Sequence, residues 1–563
     1  MTVLTVSIDR MRSALRRADG LVRRYRVDRR LPPTVRDVCR LAVQARRHDA
    51  IATRTAAVRP VLGAGGDAAN VARLDDRRVV TAGPLTTSID ELALDVAEAV
   101  VAVLRHKGLE PFVVGRDGDR IVLGLELADR ARALRELSGI DATGWLLRWF
   151  GGSSAGLAPL ADASGHRAAR RARSWTVFRS HRVGGRATGD EAGVVVTFWT
   201  LGSSGQLELV GTRGHERFDP RSAHTTERVS GRTFPGRTAF PVGTSFERFD
   251  GDVDVVYTWV DGADPAWVES FRTTATACGR SVDDEALDPA RYRSRDELRY
   301  SLRSLWMYCG WVRHIWIVTA GQRPDWLVDH PRITVVDHEQ ILPADGLPTF
   351  NSHAIEASLH RVEGLAEHVV YFNDDMLIAR PLRPEAFFHP NGLPKVFQSG
   401  ARVPSVEDDR TQAVDTAAIR GRELLAERFG RVVESKPLHS PYPLLRSVMA
   451  EVEREFPDVV GATRRSRFRS PADLSTAASF TQHYALATGR ATLGAIATEY
   501  VHVESGRLRW HLDAVRLGRD VDTCCINETR DEVPDRDARE RAIREFFDAM
   551  YPIRAPWEVA TDP

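Results

Sequence analysis

At 563 residues the chain is long enough for about two to four domains, and 43% hydrophobic with 28% charged residues is the composition of an ordinary globular protein. Its 78 basic residues nearly balance its 77 acidic residues, so the overall charge gives no argument for a nucleic-acid partner. Any partner that is recognised by charge must therefore bind a local cluster of charged residues.

The first residues bear on where the protein works. Residues 11–27 place apolar side chains at alternating spacings of four and three among arginines, which predicts a basic amphipathic helix. One explanation is a helix packed on the protein, with its basic face in solvent. The other is a helix that lies on an anionic membrane surface. The five cysteines lack the spacing of a zinc site or a disulfide framework, and no stretch approaches the roughly 18 apolar residues of a spanning helix. We expect a cytoplasmic protein, with peripheral contact at the inner membrane face as the alternative.

Residues 1–250 are predicted to form an α+β extension. Ser88 followed by Glu91 is a capping box ahead of a helix that ends near Gly108. Apolar runs at 112–114 and 121–123 flank a turn and predict a hairpin, and a helix is predicted over 128–137. Strands alternate with turns from 175 to 210. No catalytic motif is concentrated here, so the sequence assigns this extension no function.

From residue 251 to 400 strands alternate with helices. Strands are predicted at 253–260, 314–319, 333–336 and 369–372, and helices at 296–308 and 352–361. This alternation predicts an α/β fold with a doubly wound, mostly parallel sheet, in which ligands bind beyond the carboxyl ends of the strands. Residues 401–563 are predicted to be mainly helical, with helices at 416–429, 442–456, 474–488 and 536–550.

Acidic residues follow two of these strands directly. One strand ends in Asp261 and Gly262, and another ends in Asn373, Asp374 and Asp375. Adjacent carboxylates at a strand end can hold a divalent metal against a diphosphate, or set one acid as a base. A helix cap or a turn is the alternative for the second group, since Asn and Asp are common in both.

Three further strings are candidates for the site, and two of them contain residues that suit phosphate chemistry. His439 lies between two prolines, which keep it out of a helix. The basic cluster 464–469 precedes a helix start, and both arginine forks and a helix amino terminus suit phosphate oxygens. Asn351 and Ser352 resemble a helix cap. An exposed loop explains His439 equally well, and a solvated loop is the commoner explanation of a basic cluster. For Asn351 and Ser352, capping is favoured over ligand contact.

Taken together, these strings resemble the Stealth family of hexose-1-phosphate transferases, which includes bacterial capsule and exopolysaccharide phosphotransferases and the animal enzyme that marks lysosomal proteins with N-acetylglucosamine 1-phosphate. The resemblance covers roughly residues 250–557. It rests on DVVYTWVDG at 254–262, RSRDELRYSLRSL at 293–305 with TAGQRPDW at 319–326, LPTFNSH at 347–353 and YFNDD at 371–375, HSPYP at 439–443, and CINE at 525–528 with FFDAMYP at 546–552.

The resemblance implies transfer of a sugar 1-phosphate, such as an N-acetylhexosamine 1-phosphate, from a UDP-sugar to a hydroxyl of a glycan or lipid-linked glycan acceptor, with release of UMP. By similarity, Asp375, His439 and Arg469 are the expected catalytic residues, with either Asp375 or His439 as the general base. The expected substrate-binding residues are Trp259, Asp261, Gly262, Gln322, Arg410 and Asn527. Asn373 and Asp374 are expected to hold Mg²⁺ or Mn²⁺.

Two other functions remain open at this point. A metal-dependent glycosyltransferase that releases UDP would also place paired acids after a strand, but it would not require the His439 and Arg469 blocks. A non-enzymatic interaction protein is the second alternative, although acids, a histidine and arginines at strand ends favour an enzyme.

Overall fold

The computed structural model describes residues 70–75, 77–118, 120–140, 143–151, 154–210, 217–240, 246–280, 292–406, 413–518, 520–528 and 535–559. The predicted basic helix at 11–27 and Arg410 lie outside these ranges. Within them, none of the helices has the length and the apolar character that crossing a membrane requires.

The strands carry the labels β1 to β25 in chain order. They are β1 Val71–Leu74, β2 Arg77–Val80, β3 Phe112–Asp117, β4 Arg120–Glu126, β5 Trp145–Gly151, β6 Ser154–Pro159, β7 Ser174–Arg179, β8 His181–Val183, β9 Arg186–Thr188, β10 Val194–Leu201, β11 Leu207–Leu209, β12 Arg217–Phe218, β13 His224–Val229, β14 Arg232–Arg237, β15 Val253–Thr258, β16 His314–Thr319, β17 Ile333–Asp337, β18 His368–Asn373, β19 Met376–Ile378, β20 Lys395–Arg402, β21 Ser435–Pro437, β22 Tyr442–Leu445, β23 Thr492–Gly494, β24 Thr498–His502 and β25 Thr523–Asn527.

The α-helices of the described residues carry the labels α1 to α14. They are α1 Ile89–His106, α2 Arg130–Ser138, α3 Leu160–Ala163, α4 Arg167–Arg170, α5 Pro265–Ala277, α6 Glu297–Tyr308, α7 His338–Ile341, α8 Ser352–Glu356, α9 Ala413–Phe429, α10 Arg446–Glu455, α11 Pro457–Arg465, α12 Thr481–Ala487, α13 Leu508–Leu517 and α14 Arg536–Met550.

A five-stranded sheet in the order β17-β16-β15-β18-β22 organises the second half of the chain. Its first four strands run parallel, and β22 pairs antiparallel with β18. The apolar runs of β15 and β18 are buried along almost their whole length, as expected for parallel strands that are covered on both faces. The chain order reverses between β15 and β18. The predicted α/β class is confirmed, whereas the doubly wound arrangement of helices stays a prediction.

Smaller sheets surround this one. Residues 71–188 contribute a four-stranded sheet in the order β2-β1-β9-β8, and a ten-stranded sheet occupies much of the remaining extension. In the C-terminal part, β24 pairs in parallel with β25, and β19 pairs antiparallel with the other edge of β25. The described part of the extension contains both helices and strands, and its assignment to the α+β class stays a prediction.

Most predicted elements are present with small shifts at their ends. The Ser88 side chain accepts a hydrogen bond from the backbone N–H of Glu91 and caps α1, as predicted. The prediction of a helix over 442–456 is wrong at its beginning, because 442–445 form strand β22 against β18. Pro443 lacks the N–H that a helix interior needs, and an edge strand tolerates it. The prediction of a mainly helical remainder also missed strands β21 to β25, which are too short to show a period of two.

A continuous apolar core joins the extension to the five-stranded sheet. Buried side chains of α1, including Leu92 and Val96, belong to the same cluster of contacts as Val255, Tyr371 and Phe547. The shared core couples the folding of the extension to that of the five-stranded sheet, because unfolding of either one exposes apolar surface of the other. The domain boundary at residue 250 stays a prediction.

A buried ion cluster closes the C-terminal end onto α6. The Glu558 side chain is fully buried and accepts hydrogen bonds of 2.7 Å from Arg299 Nε and from Arg303 Nε and Nη2. The backbone N–H of Ala555 donates a further hydrogen bond of 2.9 Å. Burial alone would raise the pKa of Glu558, but these donors outweigh burial and hold its pKa below the usual 4.5.

Replacement of Glu558 by glutamine is expected to lower the free energy of unfolding by about 3 kcal/mol at pH 7, because it removes one partner of a buried ion cluster. Stability from a depressed carboxyl pKa is present above the unfolded pKa and is lost as the pH falls through the folded pKa. The difference between wild type and Glu558→Gln should therefore shrink below about pH 4.5. Denaturant unfolding at several pH values measures it.

Asp329→Asn is the matched control, because Asp329 pairs with Arg323 at the surface and its side chain is 97% exposed. Its effect should stay within about 0.5 kcal/mol. Equal effects of the two substitutions would contradict the stabilising role of Glu558.

Candidate functional site

A cavity of about 380 Å³ opens at the carboxyl ends of β15 and β18. This is the point of the sheet where the strand order reverses, which is the usual ligand position in open α/β sheets. Six of the residues predicted for the site line the cavity: Trp259, Asn373, Asp374, Asp375, Arg469 and Asn527. Residues that are far apart in sequence therefore meet at one place.

Asp375 is held from strand β25. Its backbone carbonyl accepts a hydrogen bond of 3.1 Å from the N–H of Ile526. Its Oδ2 accepts two more, from Asn527 Nδ2 at 3.0 Å and from the Cys525 thiol at 3.1 Å. Cys525 and Asn527 are two residues apart on one strand and so project from the same face. The two donors thus fix Oδ2 of the carboxylate, and Oδ1 stays available for another partner.

Cys525 remains a thiol in this position. Burial, followed by the charge of Asp375, raises its pKa well above the usual value for cysteine. A protonated thiol can donate to Oδ2, whereas a thiolate would repel it. Sequence reasoning missed this role for Cys525, although its spacing of two residues from Asn527 on a strand was a usable signal.

His439 faces the second oxygen of the Asp375 carboxylate. His439 Nε2 lies 4.0 Å from Asp375 Oδ1, and within the described residues neither atom has a hydrogen-bond partner although both are shielded from solvent. His439 Nδ1 lies 3.0 Å from the hydroxyl of Tyr442, which orients the ring. Burial lowers the pKa of His439 more than Asp375 and Glu356 raise it, so the imidazole is neutral at pH 7. A hydroxyl group placed between Nε2 and Oδ1 would meet two acceptors.

Arg469 reaches the cavity from a loop that Asn351 anchors. The buried Asn351 caps α8, as predicted, by accepting a hydrogen bond from the N–H of His353, and its Nδ2 donates to the carbonyl of Ser466 and to Asp473. Arg469 Nη2 then donates to Ser352 Oγ at 2.8 Å. The start of α8 therefore sets the position of the guanidinium group.

The rest of the basic cluster at 464–469 does not act as one patch. Arg464 Nη1 lies 2.8 Å from Glu453, and Arg465 Nε lies 2.8 Å from Asp345. Only Arg469 of these arginines lines the cavity. Arg469 is therefore the candidate for binding phosphate, whereas Arg464 and Arg465 support the local structure.

Carboxylates crowd the side of the cavity formed by α6 and the end of β18. Burial raises the pKa of Asp374 well above its usual value, and the charges of Asp375 and Glu297 raise it further. A divalent cation would relieve this repulsion, and the oxygen atoms of Asn373 and Asp374 are ligands that Mg²⁺ and Mn²⁺ prefer. The residues present therefore fit such an ion.

A second candidate metal group begins at the next residue, Asp375. One ligand atom each from Asp375, His439 and Cys525 lies within 4.8 Å of the others, so these three side chains form a possible metal-binding group of mixed ligands. The Cys525 thiol is protonated and donates to Asp375, which makes it a weaker candidate ligand than a thiolate. The set does not identify a metal.

Two further arginines lie on the cavity wall and were not predicted. Arg293 and Arg295 line the cavity and share the buried Glu528, with Nη-to-Oε2 distances of 3.0 and 2.5 Å. Arg536 Nη1 lies 3.1 Å from the other oxygen of Glu528. One carboxylate thus fixes three guanidinium groups, two of them at the cavity, and such planar forks suit phosphate oxygens.

Three predicted substrate-binding residues lie beside the cavity rather than on its wall. Gln322 closes the turn after β15: its Oε1 accepts from the N–H of Asp261, and its Nε2 donates to the Asp261 carbonyl and to Asp264 Oδ2, all at 2.9–3.0 Å. A Cβ atom on Gly262 would lie 2.3 Å from the carbonyl oxygen of Tyr292, which lines the cavity. Asp261, Gly262 and Gln322 therefore shape the loop that carries Trp259.

Four conserved regions of Stealth proteins match this chain in order. Region 1 matches residues 251–273, region 2 matches 291–396, region 3 matches 438–486 and region 4 matches 513–563. Together they contain Trp259, the Asn373–Asp375 run, His439, Arg469 and Asn527. The parts of the chain that build the cavity are therefore the parts that match.

Related proteins match over different lengths. An exopolysaccharide phosphotransferase of Streptomyces coelicolor is 37% identical over 564 residues, covering 96% of this chain and 90% of that protein. A second one from the same organism is 44% identical over 310 residues, covering 54% of this chain and 57% of its own length. The exopolysaccharide phosphotransferase CpsY of Mycobacterium tuberculosis is 40% identical over 318 residues, covering 55% of this chain and 59% of CpsY.

The match of nearly the whole chain to one relative, in addition to the four conserved regions, extends the likeness beyond the cavity to the N-terminal extension. The chain therefore belongs to the Stealth family.

Proposed function

We propose that the protein is a phosphotransferase of exopolysaccharide or capsule synthesis that moves a sugar 1-phosphate from a UDP-sugar to a hydroxyl of a glycan acceptor and releases UMP. The observation that carries this proposal is the facing pair of His439 Nε2 and Asp375 Oδ1 beside a cavity with guanidinium groups on its wall. The names of the relatives support the same class of reaction.

The proposed reaction breaks the bond between the two phosphates of the donor. The acceptor oxygen attacks the phosphorus that bears the sugar, a new phosphorus–oxygen bond forms, and UMP leaves with the bridging oxygen. His439 Nε2 takes the proton of the acceptor hydroxyl, because its lowered pKa keeps the imidazole neutral beforehand. Asp375 Oδ1 then stabilises the imidazolium ion that forms, at a distance of 4.0 Å before any movement.

Charge on the transferred phosphate is balanced by groups on the cavity wall. Arg469, held by Ser352, donates to oxygens of the reacting phosphate, and Arg295, held by Glu528, binds the phosphate that leaves. Asn373 and Asp374 would hold Mg²⁺ or Mn²⁺, which when bound neutralises charge on the diphosphate. Trp259 and Asn527 contact the nucleotide sugar from the remaining wall.

The competing function is a glycosyltransferase that breaks the bond between the sugar carbon and oxygen and releases UDP. Such an enzyme needs the acids and the metal but gives no role to a histidine whose Nε2 faces Asp375. A non-enzymatic interaction protein gives no role to either group. The geometry therefore favours phosphate transfer. Work at the inner face of the membrane, on a lipid-linked or growing glycan, fits this reaction.

Identification of the released nucleotide tests the proposal. Purified protein incubated with UDP-N-acetylglucosamine, Mg²⁺ or Mn²⁺ and a glycan acceptor should release UMP, read by chromatography. Asp375→Asn should lower the rate by about 10³-fold, since it removes the charge that stabilises the imidazolium ion. Asp345→Asn is the control, because Asp345 is exposed at the surface and pairs only with Arg465 among described residues.

UDP in place of UMP would contradict the proposed reaction and favour the glycosyltransferase. Equal rates for Asp375→Asn and wild type would contradict the role of Asp375 while leaving the nucleotide result to decide the reaction.

Cys525 is expected to act as a positioning residue for Asp375. Cys525→Ala should lower kcat about 10- to 100-fold with little change in KM for the donor, because a hydrogen bond to a charged group contributes roughly 1.5–3 kcal/mol. Cys525→Ser should recover most of this loss, since a hydroxyl can also donate to Oδ2. Steady-state kinetics of the variants measure both effects.

Cys524→Ala is the matched control. Cys524 is equally buried, but as the neighbouring residue on β25 it points to the opposite face, towards the Tyr551 hydroxyl. The same loss of kcat in both alanine variants would mean that Cys525 acts only through stability.

A further inference from the structure

The face of the three-stranded sheet β19-β25-β24 from which Cys525 and Asn527 reach Asp375 continues along β24. In the parallel pairing of β24 and β25, Tyr500 lies beside Cys525 and His502 lies beside Asn527. Side chains at partner positions of neighbouring strands project from the same face, so Tyr500 and His502 share the face from which Cys525 and Asn527 reach Asp375.

Two aromatic rings extend outward from His439 on this face. The ring centroid of Tyr500 lies 5.4 Å from that of His439, and the ring centroid of His502 lies 4.7 Å from that of Tyr500. Tyr500 is half-buried and His502 is exposed, whereas Val501 and Val503 between and after them are buried on the other face. The surface that leads away from the reacting groups is therefore aromatic and accessible, and flat rings of this kind pack against the apolar faces of sugars.

A groove of about 500 Å³ begins where this strand ends. It is lined by the loop and first turn of α13 from Ser505 to Trp510 and by the first turns of α14 between Asp535 and Ala542. Leu508 and Ala542 anchor the two walls in the core, since each is 4% exposed. Arg539 Nη1 donates to the carbonyls of Val503 and Ser505, each at 2.7 Å, and ties α14 to the end of β24. The groove is thus a built feature with fixed walls.

The groove favours an anionic ligand. Arg507 and Arg509 are exposed, and the Arg507 guanidinium meets neither a carboxylate nor a carbonyl within the part of the chain that the structure describes. Arg509 lies 3.4 Å from Glu545 in a pair whose side chains are 69% and 66% exposed, so a ligand phosphate can displace that contact. Asp535 is the acid among the lining residues, against three arginines. Trp510 adds a half-buried aromatic ring.

The groove lies within reach of the reacting groups. Ser505 is five residues after Tyr500 in the chain, and five fully extended residues span at most about 18 Å. A glycan whose terminal hydroxyl lies at His439 can therefore place its preceding sugars over Tyr500 and His502 and in the groove.

We infer that this groove is the acceptor subsite and that it binds an anionic glycan whose sugars are already joined by phosphodiesters. The inference rests on the proposed function, because each transfer of a sugar 1-phosphate adds one phosphodiester and one negative charge to the acceptor. The arginines then contact phosphates added in earlier cycles, so the enzyme extends chains better than it starts them.

Binding without donor tests the groove separately from the reaction. Isothermal titration calorimetry compares three probes: an N-acetylglucosamine oligomer with six 1-phosphodiester links, the neutral N-acetylglucosamine hexamer, and a hyaluronan oligomer of similar length that carries carboxylates. Wild type should bind the phosphodiester oligomer most tightly. The double variant Arg507→Ala and Arg509→Ala should bind it about tenfold more weakly, because charge-assisted contacts to phosphate are lost.

The matched control is the double variant Arg431→Ala and Arg454→Ala, which removes the same charge from exposed positions outside the groove. It should bind all three probes as wild type does. In the UMP-release assay the double variant Arg507→Ala and Arg509→Ala, the groove variant, should have a KM about tenfold higher than wild type for the oligomer with six phosphodiesters. Its kcat with a single-sugar acceptor should equal that of wild type.

Each contrary result has a distinct meaning. Equal affinity of wild type and the groove variant for the phosphodiester oligomer would overturn the acceptor subsite, even where UMP is released. Equal or tighter binding of hyaluronan would overturn the assignment to phosphodiesters. Release of UDP by a protein whose groove binds as expected would contradict the proposed function alone.

Discussion

The geometry of the site depends on one carboxylate whose two oxygens are used differently. Strand β25 holds Oδ2 of Asp375 with the thiol of Cys525 and the amide of Asn527, and the backbone of Ile526 fixes the peptide behind it. Oδ1 is then directed at His439 Nε2, 4.0 Å away. Because β25 comes from a part of the chain about 150 residues later, the pairing of distant strands, and not the local sequence, sets the distance between the proposed base and its partner.

The sequence predicted those parts of the fold that rest on local patterns. Buried parallel strands appear as short apolar runs, so β15, β16 and β18 were predicted to within about two residues, and Asn351 was predicted as a helix cap from its neighbours. Strand β22 was missed because Leu444 and Leu445 continue the apolar spacing of the following helix. Its strand conformation comes from pairing with β18, which no local pattern records.

The same distinction applies to the site. Asn373, Asp374 and Asp375 at the end of β18 were predicted from motifs, as were His439, Arg469 and Asn527, and the structure brings these residues together. The contact of Cys525 with Asp375 was missed, although its spacing of two residues from Asn527 was a usable signal. The ion pairs of Glu528 with Arg293 and Arg295 could not be predicted, because they join segments more than 200 residues apart. Conversely, Gln322 and Asp261 carry a family motif yet form a turn beside the cavity, since a motif does not reveal whether a residue touches the ligand or supports a neighbour that does.

The fate of the sugar-linked phosphate tests the central claim most directly. UDP-N-acetylglucosamine carrying ³²P only in the phosphate attached to the sugar should transfer its label to the glycan, and the released UMP should be unlabelled, because the bond between the two phosphates breaks. Label that remains entirely with the released nucleotide would mean that the sugar carbon–oxygen bond breaks. That result would contradict the proposed roles of His439 and Asp375 in phosphate transfer.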